Sequence, residues 1–351
     1  RGRRGDPPPT KSLPCEFGPL LADARARYQL QQLLGQGAFG QVYLGLDRQL
    51  SEEGHTAMVA IKILQSADKA PRVRERLMEE ATKVRRISHP SVVLVHDRGV
   101  TAQDEDYIVY EFVEGGDLGQ RIGSVPRPIP PREAAALIAS VAEGVQAAHS
   151  AGVIHCELKP GNIMVTQAGE PKVADFGVAV RLSAPREFQD GDAADIGGIV
   201  GNIAFISPEQ YRGEDGALSV QSDVYALGGI LYLLLTGELP NGSTVGEIAA
   251  THDPKTGRTE APRVRGLAHD VDADLEAICC RALAPKPANR YASAVSLAED
   301  LRHWLANEPI TWMQPGFFHM LKLWARRKPA LAGAATLIFC LIVICGVVGA
   351  V

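Results

Sequence analysis

The stretch His155–Asn162, HCELKPGN, decides how this chain is read. It places a carboxylate, Glu157, just before an ammonium, Lys159, and closes on an amide, Asn162. A second short run, KVADFG over 172–177, carries an apolar segment to another carboxylate, Asp175. Carboxylate and amide oxygens are the ligands Mg2+ takes beside phosphates, and a nearby lysine can neutralise charge on a moving phosphoryl group.

Upstream, GQGAFGQV over 35–42 sets Gly35, Gly37, Gly40 and Val42 in a G-x-G-x-x-G-x-V pattern, with Gln36, Ala38 and Phe39 between the glycines. Glycines let a backbone approach phosphates and leave N–H groups free to bond them. Dinucleotide-binding folds use similar spacing, but there a helix follows the loop. Here a strand follows, so a βαβ dinucleotide unit is disfavoured. VAIK, 59–62, ends the next strand on Lys62, and Glu80 falls on the helix after it. A Lys62–Glu80 ion pair would hold the ammonium against two phosphates. A lone lysine on a strand is usually a solvated edge; after that glycine loop, phosphate binding is the stronger reading.

The chain has 351 residues, 46% of them hydrophobic, enough for one large two-lobed domain or two ordinary ones and against wholesale disorder. A net charge of −5 argues against a nucleic-acid binder. The six cysteines, Cys15, Cys156, Cys279, Cys280, Cys340 and Cys345, form no C-x-x-C pair and no zinc pattern. They read as free thiols in a reducing compartment.

Residues 1–27 open RGRRGDPPPT and read as a flexible N-terminal arm. From Tyr28 to Val113 strand-like runs surround one helix, PRVRERLMEEATKVRRIS, with Val73, Leu77, Val84 and Ile87 at helical spacing. From Glu114 to Leu305 helices dominate, among them PREAAALIASVAEGVQAAHSAG and the nearly all-apolar SDVYALGGILYLLLTG. Residues 306–328 form a basic juxtamembrane segment with Lys322, Arg326, Arg327 and Lys328. From Pro329 to Val351 no residue is charged. As a helix this run is roughly 35 Å long, enough for ~30 Å of hydrocarbon. It reads as one transmembrane helix. The flanking basic residues set the cytoplasmic side, and Trp324 suits the interface. The basic stretch is a topology anchor, with contact to anionic lipid as the alternative. The chain opens on Arg1 and stops inside an apolar run, so a fragment of a longer protein is expected.

In the order glycine loop, VAIK, Glu80, HCELKPGN, ADFG and the SPE at 207–209, the chain from Tyr28 to Leu305 resembles a bacterial Hanks-type Ser/Thr protein kinase domain of the membrane-anchored kind. The resemblance implies an α+β, bilobal kinase fold with ATP and Mg2+ as cofactors. Gly35 through Gly40 would cover the phosphates. Val42, Ala60 and Met164 would sandwich adenine. Glu111 and Val113 would offer hinge backbone groups, behind Tyr110 as gatekeeper. Asp117 falls where a ribose contact is common. Lys62 and Glu80 would hold phosphates, Asn162 and Asp175 the metal, and Glu157 and Lys159 would serve the transfer itself. Glu209 would pair with Arg290. Phe176, His155 and Val84 would stack in an assembled site. The Lys159 of ELKP points to protein Ser and Thr hydroxyls as acceptors.

Three features depart from the family pattern. Glu157 stands where an Asp is expected, and Cys156 where an Arg would grip an activation-segment phosphate. Between Asp175 and Glu209 there is no Thr or Tyr, and the serines are Ser183 and Ser207. Missing Arg and missing phosphosite agree, so ordinary activation-loop phosphorylation is not expected. Asn202 also replaces a usual Thr. Two functions stay open: a kinase of reduced activity, and an ATP-binding pseudokinase scaffold at the membrane. A non-kinase nucleotide binder is the third class. The protein substrate is not legible, and dimerisation, a homodimer included, stays open.

Overall fold

The computed structural model describes residues 15–21, 25–37, 40–51, 56–64, 82–124, 128–176, 203–214, 218–253, 257–258, 260–313 and 316–349. The chain divides into two compact units, Arg1–Gly123 with Ala147–Phe188, and Ser124–Gln146 with Gln189–Val351.

The first unit is built on a six-stranded antiparallel sheet in the order β1-β2-β3-β4-β6-β5. Its strands are β1 (Cys15–Leu20), β2 (Ala26–Gly37), β3 (Gly40–Asp47), β4 (Met58–Leu64), β5 (Val95–Val100) and β6 (Asp106–Glu111). Alternating side chains build its core, with Tyr28, Leu30, Tyr43, Ile61 and Val109 fully buried. Arg27 ties three strands together through Asp47 at 2.7 Å and Asp97 at 3.0 Å.

Within residues 1–27, expected as a flexible arm, Cys15–Leu20 forms strand β1. It pairs with β2, and Phe17 packs its ring 4.9 Å from Tyr107 and 5.6 Å from Tyr28. One aromatic side chain and a free strand edge hold this segment despite its arm-like composition. Residues 1–14 lie outside the described residues.

Helix α1 (Leu118–Ser124), a single 3-10 turn (Pro160–Asn162) and the hairpin β7 (Ile163–Val165) and β8 (Pro171–Val173) complete this unit. The hairpin is sewn to the loop before β5. Val93 N–H donates to Val173 O and Val173 N–H to Ser91 O, both at 2.9 Å. These bonds fix the strand end that carries Asp175.

The second unit is helical. It holds α2 (Pro131–Ser150) as far as Gln146, then α3 (Pro208–Tyr211), α4 (Val220–Thr236), α5 (Val245–His252), α6 (Ala273–Ala282), α7 (Ala294–Leu305), α8 (Phe317–Arg327) and α9 (Pro329–Gly349). Helix α4 is buried from Ser222 to Leu235, as a helix apolar nearly all round must be. It packs on α6 and α7. The approach to α6 is close: a Cβ on Gly228 would stand 2.7 Å from Ala282 Cβ, inside van der Waals contact.

Candidate active site

The glycine loop joins β2 to β3. Gly35 pairs with Val42, Gln36 with Gln41 and Gly37 with Gly40. Gly40 has φ +148, and a Cβ there would collide with the Ile63 carbonyl. Only glycine fits this backbone and this close approach. Ala38 and Phe39, at the loop tip, lie outside the described residues.

Register carries the loop's neighbours into place. Val42 faces Lys62 across β3 and β4, and Ala60 faces Tyr110 across β4 and β6. Lys62 is buried, and its Nζ stands 2.9 Å from Asp175 Oδ1. Glu80, its expected partner, lies outside the described residues. Burial would raise the Asp175 pKa; the Lys62 charge and hydrogen bond, with His155 and Lys159, outweigh it and hold the carboxyl below its ordinary value of 3.8. Asp175 is therefore ionised, and its side chain remains 37% exposed. Its φ of 57° is left-handed, a region Asp tolerates better than most residues. Tyr110 is buried. That burial, reinforced by the Asp175 charge, pushes its phenol well above 10 and keeps it neutral.

The HCELKPGN stretch is locked by its own histidine. His155 is fully buried, and its ring lies 4.9 Å from Phe176. Glu157 N–H donates to His155 Nδ1 at 3.4 Å, so Nε2 carries the proton and donates to Ala174 O at 3.0 Å. Ala174 N–H donates in turn to Asn162 O at 2.9 Å. One imidazole thus joins the loop to the strand end that carries Asp175. Between the two histidine contacts, Cys156 takes φ 67, a left-handed conformation costing roughly 1–2 kcal/mol.

That turn sets Glu157 beside Lys159, Oε1 to Nζ at 2.7 Å, with the side chains 26% and 22% exposed. Asn162 donates Nδ2 to Glu157 O at 2.8 Å, which assigns Oδ1 as its remaining oxygen. Asn162 and Asp175 supply hard oxygen donors of the kind Mg2+ binds. Among the described residues no cluster of three or more His, Cys, Asp or Glu forms a metal site.

The remaining expected positions also fall in the first unit. Val113 is buried just after β6. Asp117 caps α1, its Oδ1 accepting from Gln120 N–H at 2.9 Å, and its backbone bridges to Met164. Glu111 carries a contact the motifs did not announce. Its carboxylate takes Lys172 Nζ at 2.9 Å and the Leu94 N–H at 3.3 Å. Lys172 lies 61 residues away, so no local pattern could reveal the pair.

In the second unit Arg290 pairs with Glu209, as the resemblance implies. The bonds are 2.6 and 2.8 Å, with both side chains buried. Arg290 also donates to the carbonyls of Ala284, Pro285 and Gln221, and its guanidinium lies over the Tyr225 ring. Tyr225 OH donates to Asn241, whose amide donates to Ala204 O. This ties down Ile203–Glu209, the end of the segment that starts at Asp175. Asn202 and Ser183 lie outside the described residues.

Comparison with known proteins agrees with this geometry. Residues 28–303 match the protein kinase domain family. The chain is 34% identical over 297 residues to the serine/threonine-protein kinase PknB of Mycobacterium leprae, and 35% identical over 289 residues to PknB of Mycobacterium tuberculosis. The matched regions cover 83% and 81% of this chain, and 44% of each relative's length. Among solved structures, the kinase domain of Mycobacterium tuberculosis PknI superposes with a TM-score of 0.62 at 26% identity, covering 85% of this chain and 99% of that one. With its glycine loop, Lys62, Asp175 and Asn162 on such a scaffold, the chain belongs to the protein kinase domain family.

Proposed function

We propose that this chain is a Ser/Thr protein kinase that transfers the γ-phosphoryl group of ATP to protein hydroxyls with Mg2+, slowed by Glu157. The observation that carries the reading is the convergence of Lys62, Asp175, Asn162, Glu157 and Lys159 within one compact unit. Asn162 and Asp175 would hold Mg2+, which would supply positive charge against the charge that develops on the transferring phosphoryl group. Lys62 and Glu80 hold the α- and β-phosphates, while the Gly35–Gly40 backbone covers them. The substrate hydroxyl oxygen bonds to the γ-phosphorus as the bond to the β-phosphate oxygen breaks. The hydroxyl proton passes to Glu157, and Lys159 offsets charge on the transferring group. Val42, Ala60, Tyr110, Glu111, Val113, Asp117 and Met164 seat the nucleoside.

A second reading, an ATP-binding pseudokinase, draws on one contact. The Glu157 carboxylate that would take the proton is already engaged by Lys159 at 2.7 Å. The deciding experiment measures phosphate transfer from labelled ATP to a basic protein by the full chain in detergent. Wild type is set beside Lys62→Met, with nucleotide binding recorded in parallel. Transfer by wild type that Lys62→Met abolishes supports the kinase. Nucleotide binding without transfer by either supports the scaffold.

We also read α9 as a single span with the kinase domain on the cytoplasmic side. Support comes from the uncharged run after Lys328 and the basic residues before it. Among the described residues no single helix is long and apolar enough to cross a membrane; Phe317–Arg327 and Pro329–Cys345 pass together, bent by 119°. Resistance of membrane-bound chain to alkaline extraction would bear the span out, and complete release would end it.

A further inference from the structure

Helix α8 has two unlike sides. One side docks on the helical unit. Leu323 is buried, His319 Nε2 stands 3.0 Å from Asp274 Oδ2, and Arg326 reaches Asp272 at 3.4 Å. Arg327 adds a contact to Glu308 at 3.7 Å. The lead-in is anchored too. Thr311 donates its N–H and hydroxyl to buried Asp300 at 2.8 Å, and Trp312 shares the Arg281 guanidinium with Tyr291.

The other side is apolar and bare. Phe317 is 76% exposed, Phe318 84% and Leu321 49%. At 3.6 residues per turn these three, with Met320, share one face, and Lys322 and Arg327 flank it. An aromatic face rimmed by cations is the composition of a helix lying in a membrane interface. Its position agrees. Lys328 alone separates α8 from the uncharged α9, and the chain bends by 119° between the two helices. A bend of that size lets one helix enter a bilayer while the other lies along its surface.

We propose that α8 is an in-plane membrane helix. Its Phe317–Phe318–Leu321 face enters the headgroup boundary of an anionic bilayer while His319, Leu323 and Arg326 clamp the helical unit to it. That unit is then held against the membrane at a fixed angle rather than swinging on a tether. This rests on reading α9 as a span.

The test uses the full chain reconstituted in phosphatidylcholine vesicles with and without phosphatidylglycerol. Phe318→Trp is compared with wild type in lipids brominated either near the headgroup end or near the tail end of the acyl chain. The added indole is expected to emit further to the blue than in detergent. It should lose more emission to the headgroup-end bromines than to the tail-end ones, and more with anionic lipid present. An alkali-resistant chain whose added indole is unquenched overturns the in-plane helix and leaves the span standing. Quenching that ignores the anionic lipid overturns the role given to Lys322 and Arg327. A chain stripped by alkali ends the span reading and this proposal with it.

Discussion

Replacing Glu157 by Asp should make the protein a faster kinase. The carboxylate reaches Lys159 at 2.7 Å because its arm is one methylene longer than that of Asp. Shortening the arm withdraws the oxygens by about 1.5 Å, one carbon–carbon bond. The pair then opens to roughly 4 Å, past the length of a charge-assisted hydrogen bond. Two effects follow, and they differ in size. The pair is partly exposed, so losing its close contact costs about 1 kcal/mol of stability or less. Positioning matters more: a reacting group misplaced by ~1 Å can cost roughly 10²-fold, within a general-base contribution of ~10²–10⁴. Glu157→Asp is therefore expected to raise kcat by about 10- to 100-fold, with the thermal midpoint nearly unchanged. The assay is initial-rate transfer of labelled phosphate to a basic protein at saturating ATP and Mg2+, with Glu157→Ala as the floor. A Glu157→Asp chain that binds ATP and melts like wild type, yet transfers no faster, would refute the reasoning.

Glu209→Ala should remove about 3–5 kcal/mol by leaving the Arg290 guanidinium buried without its anion, read as a large drop in urea midpoint. Gly40→Ala forces a side chain into the Ile63 carbonyl and should weaken nucleotide affinity at least tenfold by calorimetry, about 1.4 kcal/mol. His252 is buried beside Arg258 and Arg212; burial first, then those charges, lower its pKa from 6.5 to about 4. The unfolded chain takes up that proton first, so this site should cost about 3 kcal/mol of stability as pH falls from 6.5 to 4. His252→Phe should flatten that decline in urea titrations. Asp175 acts in the same direction at lower pH: its depressed pKa contributes stability above 3.8 that is lost as pH falls through the lower folded value. Asp175→Asn should flatten the acid limb below pH 4 in the same titrations.

What the sequence made legible is the set of residues whose roles are tied to local patterns. The glycine spacing, VAIK, ADFG and the uncharged terminal run each announce themselves within a few positions, and the family order joins them. The Arg290–Glu209 pair was reachable because the family resemblance implies it. What escaped depends on backbone angles or distant partners. The Glu157–Lys159 contact follows directly on Cys156 at φ 67, and no composition encodes that angle. The Glu111–Lys172 pair joins β6 to β8 across the sequence. Strand β1 hides in a Pro- and Gly-rich opening because it rests on Phe17 packing against Tyr107. The charges of 306–328 mark a basic juxtamembrane segment but not helix α8, whose docked side is decided by Asp272 before α6 and Asp274 on it.

Lys62 already has an anion, Asp175, at 2.9 Å. On the proposed function, an arriving triphosphate would meet a neutralised cation and have to compete for it. A divalent cation would settle that competition, because Asp175 cannot fully serve a metal and Lys62 together. A metal that claimed Asp175 would release Lys62 for phosphate, and a phosphate on Lys62 would release Asp175 for metal. Affinity for the nucleotide should thus rise with divalent cation concentration, and affinity for the cation should rise with nucleotide by the same factor. A salt bridge that looks like a structural clasp behaves as an exchange: neither partner is held so firmly that it cannot be handed to the ligand it awaits.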